Sequence, residues 1–309
     1  MIEVRSPGMF TTVQDLGRQG FGPLGVSASG AADPIALRLG NLLVGNPENA
    51  AALEMTLLGG TFFFDRPAVI ALTGSDFGAA VDGRPLRSWI AHAIEAKQTV
   101  RCGPSQSGAR CYLCVAGGIR VPLFAGSAST HILSGLGGAG GRALQKGDVL
   151  EIGERSGRPR RLHRTKPLPL KPHKHLRVTR GTQWDWFPPT SQEALFASSY
   201  RVTEEANRMG LRLEGAPIRA GTHSQMITEG VPLGAIQIPA GGQPIILFVE
   251  QQTTGGYPKI ANIISADLAS VGQLRPRDEI RFELVSPELA RKLICEQEAL
   301  LCSPDLFLP

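Results

Sequence analysis

The chain has 309 residues, 42% of them hydrophobic, which is enough to fill the cores of two domains of ordinary size. No apolar run approaches the roughly 18 residues that span a bilayer, and residues 1–6 hold no basic lead into an apolar signal core, so a cytoplasmic protein without a membrane role is expected. Aromatic residues make up 6% against 37 glycines and 23 prolines, a balance that excludes a helical bundle and favours many short strands joined by turns.

The first feature in chain order is a polar block, Thr11-Thr12-Val13-Gln14-Asp15-Leu16-Gly17-Arg18. An amphipathic helix follows over residues 34–44, with Asp33 as N-cap, Pro34 at the first helical position and Gly45 or Asn46 closing it. Short apolar runs at 53–57, 60–64, 68–73 and 111–115 are each bounded by Gly, Pro, Asp or Asn, as strands of an antiparallel sandwich or barrel should be. Cys111 and Cys114 form a C-x-x-C string on one such run. Residues three apart on a strand face opposite sides, so core thiols are expected there and no metal site. With Cys102, Cys295 and Cys302 the cysteines make an odd, unpatterned set that points to reduced thiols.

Residues 135–140 match G-x-G-x-x-G formally, but no strand leads in and Gly147-Asp148 interrupts any helix behind. A loop over a site is expected, and no dinucleotide fingerprint. Residues 155–177 carry nine Lys or Arg and no Asp or Glu, so the rest of the chain is acidic despite the net charge of +5. That stretch also holds four prolines, His163, His173 and His175, and no aromatic residue interleaves with its charges. It reads as a solvated connector rather than a nucleic-acid tract, with docking to an acidic partner between the two.

The strand pattern restarts at 176–180, 200–202, 236–238, 245–249 and 280–284, and a helix with Ser286 as N-cap is expected from residue 287 to 301. The densest chemistry lies directly after the fourth of these runs, at Gln252-Thr253-Thr254-Gly255-Gly256-Tyr257-Pro258-Lys259-Ile260. A buried strand delivers this polar block to the rim of a core, where sites are usually built. Gln14 or Gln252 can give and accept a hydrogen bond at once, matching a lactam or urea edge. Arg18 can hold a carboxylate, Lys259 can neutralise an oxyanion, and Gly255 and Gly256 can present N–H donors. The six histidines show no ligand spacing on a stable element, so no metal is expected. Neither a G-x-S-x-G elbow nor a G-x-x-x-x-G-K-[ST] loop occurs.

These blocks, in this order, resemble the biotin-dependent carboxyltransferase-like family, which includes the C subunit of 5-oxoprolinase, the KipA type and allophanate hydrolase subunit 2. Ala116-Gly117-Gly118-Ile119, Gly141-Arg142 with Gly147-Asp148, the stretch 208–215 and Gly234-Ala235-Ile236-Gln237-Ile238-Pro239 also match. Two positions depart from the family pattern: Glu250-Gln251 stands where an Asp-Arg lead is usual, and Thr182 where Pro is usual. The resemblance implies a mainly β protein with minor helix, built of two cyclophilin-like β-barrel domains. They would span residues 1–154 and 176–309, the second ending in the helix, with 155–175 as the basic, proline-rich linker.

It also implies the role of the C subunit in an ATP-dependent 5-oxoprolinase that opens 5-oxoproline to glutamate together with subunits A and B, the partner being KipI-like. ATP would enter through the complex, and biotin only on a partner. Lys259, Tyr257 and Thr254 are the expected catalytic residues; Gln14, Asp15, Arg18, Gln252, Thr253, Gly255 and Gly256 are the expected substrate-binding ones. A substrate-binding subunit of a urea or amide carboxylase and a KipA-type regulatory binding protein remain the alternatives.

Overall fold

A computed structural model describes residues 1–155, 157–162, 172–221 and 226–308. Of the expected linker, residues 156 and 163–171 lie outside the described residues, and so does His223. Among the described residues no helix is long and apolar enough to cross a membrane. Two units separate by their internal contacts: Met1–Arg18 with Ser29–Leu170 and Leu300–Pro309, and Gln19–Ala28 with Lys171–Ala299.

In the first unit the strands form a seven-stranded and a five-stranded sheet. The five-stranded sheet runs in the order Phe10–Gln14, Ala52–Thr56, Arg110–Val115, Ala68–Gly74, Ala91–Ile94. Alternation along its central strand explains the layering. Cys111, Leu113 and Val115 enter the core shared with Ile2, Val4, Phe62 and Phe64 of the other sheet, whereas Tyr112 and Cys114 face the Pro34–Val44 helix. Cys111 and Cys114 thus point to opposite faces, as the strand period demands. The neighbouring thiol of Cys102 is pushed up to about 12 by burial alone, which keeps it inert. At the corner between the two sheets Leu57 takes a left-handed φ of 59°, and the chain passes from the strand Ala52–Thr56 to Thr61–Phe64 of the other sheet. This corner is why the first unit reads as two packed sheets.

The Pro34–Val44 helix begins and ends as the sequence dictates. The Asp33 side chain accepts a hydrogen bond from Ala36 N (3.0 Å), Pro34 needs no donor partner, and Gly45 closes the last turn at φ 81°. Asn46 then ties the helix to the sheet. Its Nδ2 donates to Val115 O (2.8 Å) and Asn41 Oδ1 (3.0 Å), and its Oδ1 accepts from Gly117 N (2.7 Å). The Ala116–Ile119 motif is therefore explained by a turn that this asparagine holds.

The second unit contains a closed barrel of seven strands in the order His175–Arg180, Lys259–Ile263, Ala235–Gln237, Ile245–Leu247, Gly210–Gly215, Tyr200–Val202, Glu279–Leu284. The last strand returns to pair in parallel with the first, so no sheet edge is left open. Leu176, Val178, Leu211, Leu213, Ile236, Ile246, Ile260, Ile280 and Phe282 are buried on alternate positions of these strands. The expected C-terminal helix is present at Pro287–Leu301, and Ser286 Oγ accepts from Leu289 N (3.2 Å) at its start. The mainly β reading with few helices holds.

Candidate functional site

The polar block after the Ile245–Leu247 strand leads directly into the barrel strand Lys259–Ile263, and this fixes where its side chains stand. Lys259 lies opposite Gln237 in the antiparallel register, with a bulge between Ile236 and Gln237. Directly opposed residues share a face of the sheet, and a bulge re-aims a side chain at a strand end. The Lys259 side chain is 2% exposed, and its ammonium is 2.5 Å from Glu229 Oε1. Glu229 also accepts from Gln183 Nε2 (3.0 Å). Gln183 grips the lysine backbone from both sides: its Oε1 accepts from Lys259 N (3.2 Å) and its own N donates to Lys259 O (3.2 Å). The hydrogen bond from Lys259, followed by that from Gln183, holds the Glu229 carboxyl below the usual carboxylate range. A cation directed by an ionised carboxylate and a rigid amide results.

Glu229–Gly230 pairs with Thr254–Gly255, so Glu229 stands opposite Gly255. A Cβ on Gly255 would lie 2.6 Å from Gln237 Nε2 and 2.8 Å from Gln252 Nε2, so both amides converge on its bare face. Gln237 is 1% exposed, and its Nε2 has no hydrogen-bond partner. Thr254 and Gln252 are exposed and Tyr257 is 45% exposed on the same segment, whereas Thr253 spends its carbonyl on Val231 N (3.1 Å). Just upstream, Glu250 is buried in an ion pair with Arg208, so the acid that departs from the family pattern has its own cation.

Gln14, Asp15 and Arg18 form a second group, in the first unit. The Asp15 carboxylate takes four donors: Gly17 N (2.7 Å), Ser127 Oγ (2.6 Å), Ser129 Oγ (2.5 Å) and Ala128 N (2.6 Å). It organises two loops. Arg18 is 2% exposed; it donates to Ser129 O, and its guanidinium sits 5.4 Å from the centre of the Phe124 ring. Gln14 is fully buried, with Nε2 on Thr12 Oγ1 (3.0 Å) and Thr130 O (3.2 Å), and its Oε1 has no hydrogen-bond partner. The glycine-rich loop closes on this segment. Gly137 has φ 65°, and a Cβ there would lie 2.2 Å from Ser129 O and 2.9 Å from Arg18 Nη2.

The expected site residues therefore fall into two groups, one in each unit. Sequence reasoning missed Gln183, Glu229 and Gln237 in the second unit and Ser127, Ser129 and Thr130 in the first. Only Gln237 carried a local signal, as a polar residue between Ile236 and Ile238. Among the described residues no group of three or more His, Cys, Asp or Glu could hold a metal.

Residues 24–284 match the model of the carboxyltransferase domain, subdomains A and B. The chain belongs to this carboxyltransferase family. It is 39% identical over 298 residues to the C subunit of 5-oxoprolinase from Escherichia coli (strain K12), a match that covers 96% of each chain. Identity to the C subunit of 5-oxoprolinase from Haemophilus influenzae is 35%, covering 97% of this chain and 96% of that one. Among solved structures, the K. lactis urea amidolyase superposes on all of this chain with a TM-score of 0.91 at 30% identity. The chain spans 21% of that protein's length, so the match is to one part of a much longer polypeptide.

Proposed function

We propose that this chain is the C subunit of an ATP-dependent 5-oxoprolinase, active in complex with subunits A and B. The observation that carries the reading is the end-to-end match to relatives of that name, in which 96% of each chain is aligned. Ring opening of an unstrained lactam needs coupling to ATP, and ATP enters through the complex. Within this chain Lys259 supplies positive charge toward an oxygen that becomes anionic, a contribution on the order of 3 kcal/mol when preorganised. Glu229 and Gln183 fix the direction of that ammonium. Proton movement is assigned to the hydroxyls of Thr254 and Tyr257, both exposed residues of the same segment, and Gln252, Thr253, Gly255 and Gly256 shape the binding face. In the first unit Gln14 and Arg18 supply a second polar set, with Asp15 acting as their framework.

The likeness to urea amidolyase over the whole chain favours one second reading, a carboxyltransferase subunit acting on urea or another amide. Biotin on a partner would then supply the activated carboxyl group. The buried, unpartnered Gln237 Nε2 beside Gln252 fits a ureido carbonyl. Reconstitution with subunits A and B separates the readings. ATP-dependent release of glutamate from 5-oxoproline supports the first, and carboxylation of urea that needs bicarbonate and a biotinylated partner supports the second. Stable assembly without either reaction leaves a KipA-type regulatory binding protein.

A further inference from the structure

We propose that Gln237 is a ligand-binding residue: with Gln252, beside the bare face of Gly255, it forms a niche for the N–H/C=O edge of a cis amide, the edge that a lactam or a ureido group presents. The proposal rests on reading the Lys259 cluster as the substrate site.

Three observations meet at this point. Gln237 is 1% exposed and its Nε2 has no hydrogen-bond partner. Buried polar side chains are paired in the large majority of cases, so an unpaired one on a barrel strand calls for a partner that arrives from outside. Gly255 is not needed for backbone freedom, since it is absent from the positive-φ glycines. Space is what demands it. A Cβ at this position would stand 2.6 Å from one amide nitrogen and 2.8 Å from the other, so any side chain would push both amides away. Both nitrogens lie so close to a single point that, once the side chains part to admit it, one ligand oxygen can reach both at hydrogen-bonding distance.

The register supplies the rest. Gln237 faces Lys259 across the barrel ladder, and Gly255 faces Glu229 across the short Glu229–Gly230 pairing. The oxygen held by the two amides is thereby on the lysine side of the site, where charge developing on it is countered. A carboxamide carries a donor and an acceptor side by side, and turning the group by half a turn exchanges them. It therefore complements an N–H and a C=O that point the same way. Lactams and ureas have that arrangement; open-chain secondary amides, which are trans, do not.

The test is direct binding to the full chain by titration calorimetry, with 2-pyrrolidone, 5-oxoproline, biotin and N-methyl-2-pyrrolidone as probes. The unaltered chain is expected to bind 2-pyrrolidone at least about tenfold more tightly than its N-methyl analogue, the loss that an unpaired polar contact typically brings. Gln237→Met, of similar shape but without a donor, and Gly255→Ala are each expected to weaken lactam binding by at least about tenfold while thermal unfolding stays cooperative. If both variants fail to fold, the comparison of the two lactams on the unaltered chain decides. Preference for biotin over 2-pyrrolidone, with the same loss in Gln237→Met, supports the niche and assigns it to a ureido ligand. Lactam binding that is unchanged in Gln237→Met, equal binding of the N-methyl analogue, or no binding of any probe overturns the proposal. A complex that binds 5-oxoproline through Gln237 yet releases no glutamate would instead refute the 5-oxoprolinase reading.

Discussion

Lys259 and Asp15 are both buried charges, and their surroundings assign them different work. The lysine ammonium meets a carboxylate that is 43% exposed, so its partner can be solvated when the lysine is removed. Lys259→Met is therefore expected to lower glutamate formation by the complex at least about 100-fold with little change in unfolding midpoint, checked by activity and circular dichroism together. Unchanged activity would remove Lys259 from the chemistry. Asp15 is the reverse case. Its four donors belong to two loops of its own unit, and Asp15→Ala leaves buried hydroxyls and N–H groups without an acceptor. Urea unfolding is expected to show a loss of about 3 kcal/mol, whereas a loss under about 0.5 kcal/mol would contradict the framework role. Lys259 and Gln252 were legible in the sequence because one strand delivers them together. Glu229 and Gln183 were not, and Gln237 showed only as a polar residue between two isoleucines, because only the folded unit brings those three segments to one place.

Elements show the same division between local and distant causes. The helix at 34–44 could be read to the residue, since its cap, its proline and its terminal glycine are all local signals. The barrel order could not, because it depends on which strands pair across a hundred residues, including a parallel return of Glu279–Leu284 to His175–Arg180. That first barrel strand is anchored by Asp267, which accepts from Arg177 N (2.7 Å) and Nε (3.1 Å) and lies 3.3 Å from His173 Nε2. The hydrogen bond to Asp267 raises the His173 pKa above its ordinary 6.5. A raised histidine stabilises the fold fully below its unfolded pKa and loses that contribution as pH rises through the higher folded value. The urea midpoint should therefore fall as pH rises above about 6.5, by a step that His173→Ala removes, to be measured by unfolding at a series of pH values. An identical slope in the variant would show that the pair carries no linkage. The bulge beside Gln237 had no sequence signal at all.

At the scale of the whole molecule, the relation to the C subunits of 5-oxoprolinase runs the length of the chain, while the urea amidolyase likeness is to a module within a longer protein. The sequence disclosed the family through several short blocks in a fixed order. The division expected at residues 155–175 already put the two polar blocks in different halves of the chain, whereas the partners that each block gathers came only with the fold. The most direct test of the account is omission of this chain from the assembled complex. ATP-dependent conversion of 5-oxoproline to glutamate should be lost without the chain and return when it is added back. Glutamate formed at the same rate by subunits A and B alone would contradict its place in the reaction.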